Sequence, residues 1–198
     1  MNIGVLALQG AFIEHIKSLS RLGVNAVPVK LPRDLASIDA LIIPGGESTT
    51  ISKLLADYSL LEPLKERINE GMAVLGTCAG TILLARNVVD SDLHTLQVMD
   101  IGVRRNAYGR QKESFEADLI IPSLGEEPFK GIFIRAPIIE YVESGIEILC
   151  SVNNQAVAVK QGKIIACNFH PELTDDLRVH RYFIEQIGNG AVAESNNR

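Results

Sequence analysis

Short apolar runs alternate with amphipathic segments in the first half of the chain. The apolar runs are rich in β-branched residues, are bounded by turn residues, and cover residues 3–8, 26–29, 40–43 and 73–75. Continuous apolar runs of this length are typical of strands that are covered on both faces. The pattern therefore predicts strands in the interior of a sheet.

The amphipathic segments between these runs predict helices. Phe12, Ile16 and Leu19 share one helical face, and Gly23 stands where this helix is expected to end. Leucine and isoleucine repeat at the same spacing over residues 60–68. Strands and helices that alternate through short loops predict an α/β fold, with a largely parallel central sheet and flanking helices.

The pattern changes after Asn87, where strand patterns follow one another with little helix between them. Two dipeptides, Asn153-Asn154 and Gln161-Gly162, are typical of hairpin turns. The second half is therefore predicted to add antiparallel strands, over residues 98–103, 114–121, 131–134, 147–152, 156–160 and 164–168.

The end of the chain predicts one more helix and a tail. The helix is expected to begin near Thr174, which can cap it, and to bury a face that includes Val179 and Phe183. Residues 189–198 are small and polar, so we expect a frayed C-terminal tail. The length of 198 residues fits one domain, which we expect over residues 1–188.

Composition narrows the classes of partner. The formal net charge is −5 and the sequence has no long run of Lys or Arg, so neither nucleic acid nor an acidic membrane surface is expected as a partner. The first residues lack the basic leader of a signal peptide. No stretch approaches the roughly 20 apolar residues that cross a bilayer. We therefore expect a cytoplasmic protein.

The three cysteines show no C-x-x-C spacing. They predict neither a disulfide framework nor a zinc site, and we expect no metal or other cofactor. Cys150 and Cys167 each end an apolar run and are expected to be small buried residues. Cys78 lies in a different setting.

Cys78 is the central residue of a G-x-C-x-G pattern between a predicted strand and a helix predicted over residues 81–86. In a nucleophile elbow this turn strains the central residue, and the flanking glycines avoid collisions of Cβ atoms. The N-terminus of the helix favours thiolate over thiol. The pattern predicts a nucleophile, while tight packing around a structural cysteine is the alternative for this motif alone.

A thiolate nucleophile needs a base and a group that orients the base. His170 and Glu172 provide both if their segment is extended, because side chains two residues apart then point the same way. A single histidine near a strand end is more often structural, but its combination with the elbow favours catalysis. The other histidines are predicted to lie on helix surfaces, for His15 and His180, or in a loop, for His94.

Two glycines follow the strand over residues 40–43. They leave backbone N–H groups approachable, which suits an oxyanion hole. We expect the N–H groups of Gly46 and Ala79 to stabilise a tetrahedral intermediate. The alternative is a plain turn before a helix that Ser48 or Thr49 caps.

These three segments, in this order, resemble the class I glutamine amidotransferases, which use a catalytic triad. Within that family, six segments are most similar to glutaminase subunits of pyridoxal 5′-phosphate synthase: residues 8–11, 44–50, 76–80, 105–111, 133–137 and 169–174. The resemblance extends over about residues 3–183. It implies a three-layer, flavodoxin-like α/β fold formed by a single glutamine amidotransferase domain.

The resemblance also implies an activity, a partner and the roles of residues. The activity is hydrolysis of L-glutamine to glutamate and ammonia, which passes to a separate synthase subunit with a (β/α)8 barrel. Cys78 is implied to be the nucleophile, His170 the base and then the acid, and Glu172 the group that orients His170. Contacts with glutamine are implied for Gly46, Glu47, Ser48, Arg105, Ile134 and Arg135.

Glutamine is a zwitterion, so its carboxylate needs a donor and its ammonium an acceptor. Arg105 or Arg135 can supply the first and Glu47 the second, and the sequence does not assign which arginine binds. Arg135 interrupts an apolar run, where an unpaired buried charge is costly. Either arginine can instead form a salt bridge or face a partner subunit.

Two alternative functions remain open from the sequence. The first is a glutaminase subunit of another amidotransferase, or a related cysteine hydrolase, although residues 105–111 and 133–137 favour the synthase-linked enzyme. The second is a binding module without enzymatic activity, in which Cys78 senses redox state. That alternative leaves the spacing of His170 and Glu172 unexplained.

Overall fold

The computed structural model describes residues 1–89, 91–105 and 114–188. The helices in these ranges are α1 (Phe12–Arg21), α2 (Ser48–Asp57), α3 (Leu61–Asn69), α4 (Ala79–Leu84) and α5 (Arg178–Gly188). The strands are β1 (Asn2–Leu6), β2 (Asn25–Val29), β3 (Ala40–Ile43), β4 (Ala73–Thr77), β5 (Ala85–Val89), β6 (Met99–Arg104), β7 (Ser114–Leu119), β8 (Phe129–Ile134), β9 (Ile138–Val142), β10 (Glu147–Val152), β11 (Gln155–Gln161) and β12 (Ile164–Cys167). Short 3₁₀ turns cover Pro32–Ser37, Pro122–Leu124 and Pro171–Leu173. None of the helices in these ranges is long and apolar enough to cross a membrane.

The central sheet has seven strands in the order β10-β11-β12-β4-β3-β1-β2. The strands from β12 to β2 run parallel, and β11 and β10 add antiparallel hairpins at one edge. Asn153 and Asn154 have φ values of 50° and 63° in the first hairpin, and Gly162 has 57° in the second. Positive φ at both central residues is the geometry of a type I′ turn. The predicted parallel sheet with added antiparallel strands is confirmed.

Two small sheets lie beside the central one. β5, β6 and β9 form the first, with β5 parallel and β9 antiparallel to β6. β7 and β8 form the second, as an antiparallel pair. Most of the added pairs are antiparallel as predicted, and the parallel pair of β5 with β6 is an exception.

Helices cover both faces of the central sheet. Leu41 and Ile43 of β3 pack with α2, α3 and α4 in one core cluster, whereas Ala40 and Ile42 pack with α1 and α5 in the other. Each fully buried leucine or isoleucine stabilises this arrangement by about 1.5 to 3 kcal/mol relative to an exposed one. The resulting helix, sheet and helix layers confirm the predicted three-layer α/β class.

The parallel strands bring four connecting segments to one edge of the sheet. β12, β4, β3 and β1 are neighbours, so their carboxyl ends lie side by side. Ligands of open α/β sheets bind outside such an edge. The segments that start there are residues 7–11, 44–47 and 168–174, together with Cys78.

The predicted helix over residues 81–86 is wrong at both ends. α4 begins at Ala79 and ends at Leu84, where β5, which the sequence pattern did not predict, follows directly. The carbonyls of Leu83 and Leu84 accept hydrogen bonds from the N–H groups of Leu96 and Val98, at 2.8 and 3.1 Å. These contacts with a later segment end the helix. The strand β9 was not predicted either.

The last helix begins later than predicted. Thr174 follows a 3₁₀ turn, and its hydroxyl accepts the Asp176 N–H at 3.3 Å without starting a helix. The first helical hydrogen bond joins the Arg181 N–H to the Leu177 carbonyl at 2.9 Å. The predicted apolar face is present, since Val179 and Phe183 are buried. The predicted tail, residues 189–198, lies outside the described residues.

Candidate active site

Cys78 lies at a tight turn between β4 and α4. Its φ of 49° and ψ of −104° fall in a region that L-residues rarely adopt. A Cβ atom on Gly80 would collide with the carbonyl oxygen of Ile43, so the close approach of α4 to β3 requires glycine there. The turn therefore has the geometry of a nucleophile elbow and presents the sulfur at the carboxyl edge of the sheet.

His170 lies beside Cys78 and is fixed from two sides. Its Nδ1 is 2.7 Å from Oε1 of Glu172, and its backbone N–H donates to the Ile132 carbonyl at 2.8 Å. Burial lowers the pKa of His170, but hydrogen bonds to the Cys78 sulfur and to Glu172, with the charges of both, outweigh it and raise the pKa to about 10. At neutral pH an imidazolium therefore lies next to the sulfur.

Glu172 reaches His170 along a different backbone path from the one predicted. It lies in the 3₁₀ turn Pro171–Leu173 and not in an extended segment. The tight turn returns the carboxylate to the imidazole two residues before it. The predicted extended conformation is therefore wrong, although the two side chains do meet.

A cavity of about 300 Å³ opens in front of Cys78. Small-molecule sites commonly have volumes of roughly 300 to 1,000 Å³, so a compact amino acid fits. The predicted site residues that line it are Gly46, Glu47, Ser48, Cys78, Ala79, Arg105, Ile134, Arg135 and His170. The rest of its lining is formed by Gln9, Gly10, Ala11, Gly45, Ile82 and Leu173. Glu172 is buried outside this lining, where it contacts His170.

The loop after β3 is held from two sides. The Gly45 N–H donates to the Thr77 hydroxyl at 3.0 Å, and the Ala11 N–H donates to the Gly45 carbonyl at 2.9 Å. The Gly45–Gly46 peptide is trans, so its N–H and carbonyl point in opposite directions. Because the carbonyl faces Ala11, the Gly46 N–H points away from it. Among the described residues, neither the Gly46 N–H nor the Ala79 N–H has a hydrogen-bond acceptor.

The helix predicted to follow this loop is α2. Its N-cap residue is Glu47, without a side-chain cap, so the alternative in which Ser48 or Thr49 caps the helix is wrong. Instead, Oε1 of Gln9 accepts the Glu47 N–H at 2.7 Å. The resemblance included Gln9 among its segments but gave it no role.

The two arginines have different surroundings. Nη2 of Arg105 is 3.5 Å from Oε1 of Glu47, and these side chains are 24% and 46% exposed. Arg135 follows β8 with a φ of 43°, is exposed, and has no ion pair with a described residue. The cost of burying its charge, inferred from the apolar run, therefore does not arise. The predicted segment 105–111 lies outside the described residues after Arg105.

His15 and His180 are fully buried, so the prediction that they lie on helix surfaces is wrong. In α1, His15 follows Phe12 by three residues and precedes Leu19 by four. Residues at these spacings are neighbours on a helix, so the periodicity contained a signal for its burial. His94 is an exposed loop residue, as predicted.

The buried histidines connect segments of the candidate site. Nδ1 of His15 is 2.9 Å from Nε2 of His180. Nε2 of His15 is 3.2 Å from the Thr77 hydroxyl and 3.4 Å from Oε2 of Glu172. Burial, followed by the nearby His180 and His170, places the pKa of His15 well below its usual value. Burial lowers the pKa of His180 to about 4. Both side chains are neutral at neutral pH, so the contact with Glu172 is not an ion pair.

Cys150 and Cys167 are buried, as predicted. Burial raises the pKa of both thiols, which keeps them protonated. Within residues 1–89, 91–105 and 114–188, no group of three or more His, Cys, Asp or Glu side chains is placed to hold a metal.

Known proteins resemble this chain over nearly its whole length. The model of the SNO glutamine amidotransferase family matches residues 5–189. A relative from Carboxydothermus hydrogenoformans, pyridoxal 5′-phosphate synthase subunit PdxT, is 53% identical over 96% of this chain and 100% of its own. A relative of the same name from Moorella thermoacetica is 55% identical over 95% and 100%. A crystal structure of a glutamine amidotransferase matches with a TM-score of 0.90 at 48% identity, over 94% of this chain and 98% of that one.

Proposed function

The chain belongs to the SNO glutamine amidotransferase family, and from this membership we propose that it is the glutaminase subunit of a pyridoxal 5′-phosphate synthase. It hydrolyses L-glutamine to L-glutamate and ammonia, and a synthase subunit uses the ammonia. The single observation that carries the chemistry is the strained Cys78 turn beside the His170 imidazolium.

Acylation is the first step that this geometry supports. The Cys78 thiolate attacks the carboxamide carbon of glutamine, and a C–S bond forms as the carbonyl oxygen becomes an oxyanion. The N–H groups of Gly46 and Ala79 receive that oxyanion. Removing one such donor typically slows an enzyme by about a hundredfold to a thousandfold. The oxyanion then re-forms the carbonyl, the C–N bond breaks as His170 donates its proton to the leaving nitrogen, and ammonia departs, which leaves a thioester on Cys78.

Deacylation reverses the role of His170. The neutral imidazole takes a proton from water, and the hydroxide attacks the thioester carbon. The C–S bond breaks, glutamate leaves, and the thiolate and imidazolium are restored. Glu172 accepts the Nδ1–H of His170 throughout, which holds the imidazole in the tautomer and orientation that both steps need.

Recognition of glutamine uses the charged residues that line the cavity. Arg105 and Arg135 both line it, and a guanidinium there binds the α-carboxylate. Glu47 accepts the α-ammonium. The Ser48 side chain and the backbone of Ile134 complete the contacts.

We propose that the partner is a (β/α)8-barrel synthase subunit that covers the rim of this cavity. Ile134 and Leu173 line the cavity and are 38% and 42% exposed, so they give its rim an apolar edge that a partner can cover. A partner that buries them also keeps ammonia away from solvent.

We further propose that residues 1–188 form one domain and that the protein works in the cytoplasm. The two core clusters pack on opposite faces of the same sheet, which supports a single folding unit. The three cysteines are free, and free thiols fit a reducing compartment.

The test measures glutamate released from glutamine with and without the barrel synthase subunit. The wild-type protein is expected to release glutamate in the complex, and Cys78→Ala is expected to release none while still co-purifying with the synthase. Wild-type release of glutamate by Cys78→Ala would contradict the proposal that Cys78 is the nucleophile. Release only with the partner of a different amidotransferase would favour the alternative glutaminase.

A further inference from the structure

The carboxylate of Glu172 faces a histidine on each side. Oε1 accepts the Nδ1–H of His170, whereas Oε2 is buried and accepts no regular hydrogen bond from a described residue. The nearby donor on that side is His15, whose Nε2 lies 3.4 Å from Oε2. This distance is long for a hydrogen bond. A buried, charged oxygen is costly unless a donor faces it. The ring nitrogen of His15 that carries the proton therefore decides whether Oε2 has a donor.

The surroundings distinguish the two tautomers of neutral His15. If Nε2 carries the proton, the N–H lies between the Thr77 hydroxyl and the Glu172 carboxylate, and Nδ1 accepts the Nε2–H of His180. If Nδ1 carries it, the Nε2 lone pair accepts the Thr77 hydroxyl and leaves the carboxylate without a donor, and His180 buries an Nδ1–H that has no acceptor among the described residues. An unpaired buried donor costs about 1 to 3 kcal/mol, so the first tautomer is favoured.

His15 also reaches the opposite side of the active site. Its Nε2 is 3.2 Å from the Thr77 hydroxyl, and the same hydroxyl accepts the Gly45 N–H of the loop that contains Gly46. One buried imidazole on α1 therefore contacts the group that orients the base and the anchor of the proposed oxyanion loop. The described titratable groups that face it are His180 from α5, and His170 and Glu172 from the segment after β12.

We propose that His15 is a positioning residue of the glutaminase reaction, with its Nε2–H placed between Thr77 and Glu172 and its tautomer fixed by His180. The inference rests on the proposed function, because the base that Glu172 orients acts in that reaction. His15 touches neither the substrate cavity nor the reacting atoms, and it acts through Glu172 and Thr77. Its loss leaves Glu172 free to turn away from His170.

Two substitutions separate this role from simple packing. His15→Gln can place an amide N–H near the position of Nε2, whereas His15→Met has a similar shape and no donor. In the complex with the synthase subunit, we expect His15→Met to lower kcat by about tenfold or more with little change in KM, since small misplacements of catalytic groups have effects of this size. His15→Gln is expected to retain most of kcat.

The pH dependence adds a readout that packing does not move. Glu172 raises the pKa of His170, so a misplaced Glu172 shifts the alkaline limb of kcat/KM to lower pH in His15→Met but not in His15→Gln. Thr95→Val is the control, because it removes a buried hydrogen bond, from the Thr95 hydroxyl to the Ala85 carbonyl at 2.7 Å, outside this network. It is expected to leave the kinetics and the pH limb unchanged.

A measurement without glutamine keeps this inference separate from the proposed function. The rate at which iodoacetamide alkylates Cys78 is followed against pH, and the rate for Cys78→Ala is subtracted to remove Cys150 and Cys167. The midpoint is expected to move to higher pH in His15→Met and to stay at the wild-type value in His15→Gln. Equal behaviour of the two variants, or a midpoint that does not move, overturns the role of His15. Failure of wild type to hydrolyse glutamine overturns the proposed function and leaves the alkylation result valid.

Discussion

Cys78 and His170 follow adjacent strands of the central parallel sheet and are 6% and 7% exposed. Arg105 and Arg135, which line the same cavity, follow strands of the two small sheets and reach solvent. The groups proposed to make bonds therefore lie on buried strands of the central sheet, and the groups proposed to recognise charge lie at exposed strand ends.

Substitutions in the two regions are therefore expected to affect different kinetic constants. Groups held by buried strands keep their geometry through the reaction, which is the requirement for preorganised catalysis. Groups at exposed strand ends contribute mainly to binding the substrate. Substitutions on the Cys78 side should therefore lower kcat, and substitutions on the arginine side should raise KM.

The largest expected effect comes from the buried side, with Glu172→Gln. The amide cannot support the imidazolium, so kcat is expected to fall by about a thousandfold or more, as for comparable triads. The alkaline limb of kcat/KM, which His170 sets near pH 10, should move to lower pH because Glu172 helps to raise that pKa. Steady-state kinetics against pH check both results. A variant with wild-type kcat would show that the two sides do not differ as described.

A smaller loss is expected for Gly80→Ala. The added Cβ collides with the Ile43 carbonyl and pushes α4 away from β3, which displaces Cys78. We expect kcat to fall by about a hundredfold with unchanged affinity for the synthase subunit. Gly188→Ala is the matched control, because a Cβ there meets no atom within 4 Å. Unchanged kcat in Gly80→Ala would contradict the constraint on the elbow.

The arginine side should respond mainly in KM. We expect Arg105→Gln and Arg135→Gln to raise KM for glutamine, by about tenfold for the arginine that binds the carboxylate, with kcat reduced less. The two variants also decide which arginine binds. Arg33→Gln, at an exposed site outside the cavity, is the control. A decrease confined to kcat would instead indicate that the arginine acts in the reaction steps and not in substrate binding.

The smallest effect concerns stability rather than rate. Burial lowers the pKa of His180 from 6.5 to about 4, so its contribution is complete above pH 6.5 and is lost as pH falls toward 4. The raised pKa of His170 acts in the opposite sense and loses its contribution as pH rises from 6.5 toward 10. Urea unfolding is therefore expected to show a lower stability at pH 5 than at pH 7, since His180, with roughly 2 kcal/mol, and the buried His15 together outweigh the opposite contribution of His170. The exposed His94→Gln should show the same difference, and its absence in wild type would contradict the burial of neutral histidines.

The same two regions differ in how far the sequence predicted them. The strand predicted over residues 40–43 has the bounds of β3, and the turn at Cys78 follows from glycines adjacent to it. Local patterns suffice there, because buried parallel strands are continuous apolar runs and an elbow needs its own glycines. The residues expected to line the site do line one cavity, apart from Glu172 behind it.

The remaining features depend on contacts between distant residues. α4 ends where the N–H groups of Leu96 and Val98 bind its last carbonyls. The sequence next to Leu84 contains no signal that predicts this end. The exposure of Arg135 depends on the fold around β8, although the apolar run alone favoured burial. The helical periodicity could have predicted the burial of His15. Its contact with Glu172 could not be predicted in this way, because it joins α1 to a segment near the other end of the chain.

The most direct test of the account labels the nucleophile with a diazoketone analogue of glutamine, in which the reactive carbon replaces the amide nitrogen. After reaction in the complex with the synthase subunit, peptide mass mapping locates the new bond. The account predicts a single label on Cys78, slowed by added glutamine and absent in Cys78→Ala. A label on Cys150 or Cys167, or continued glutamine hydrolysis by the labelled protein, would contradict it.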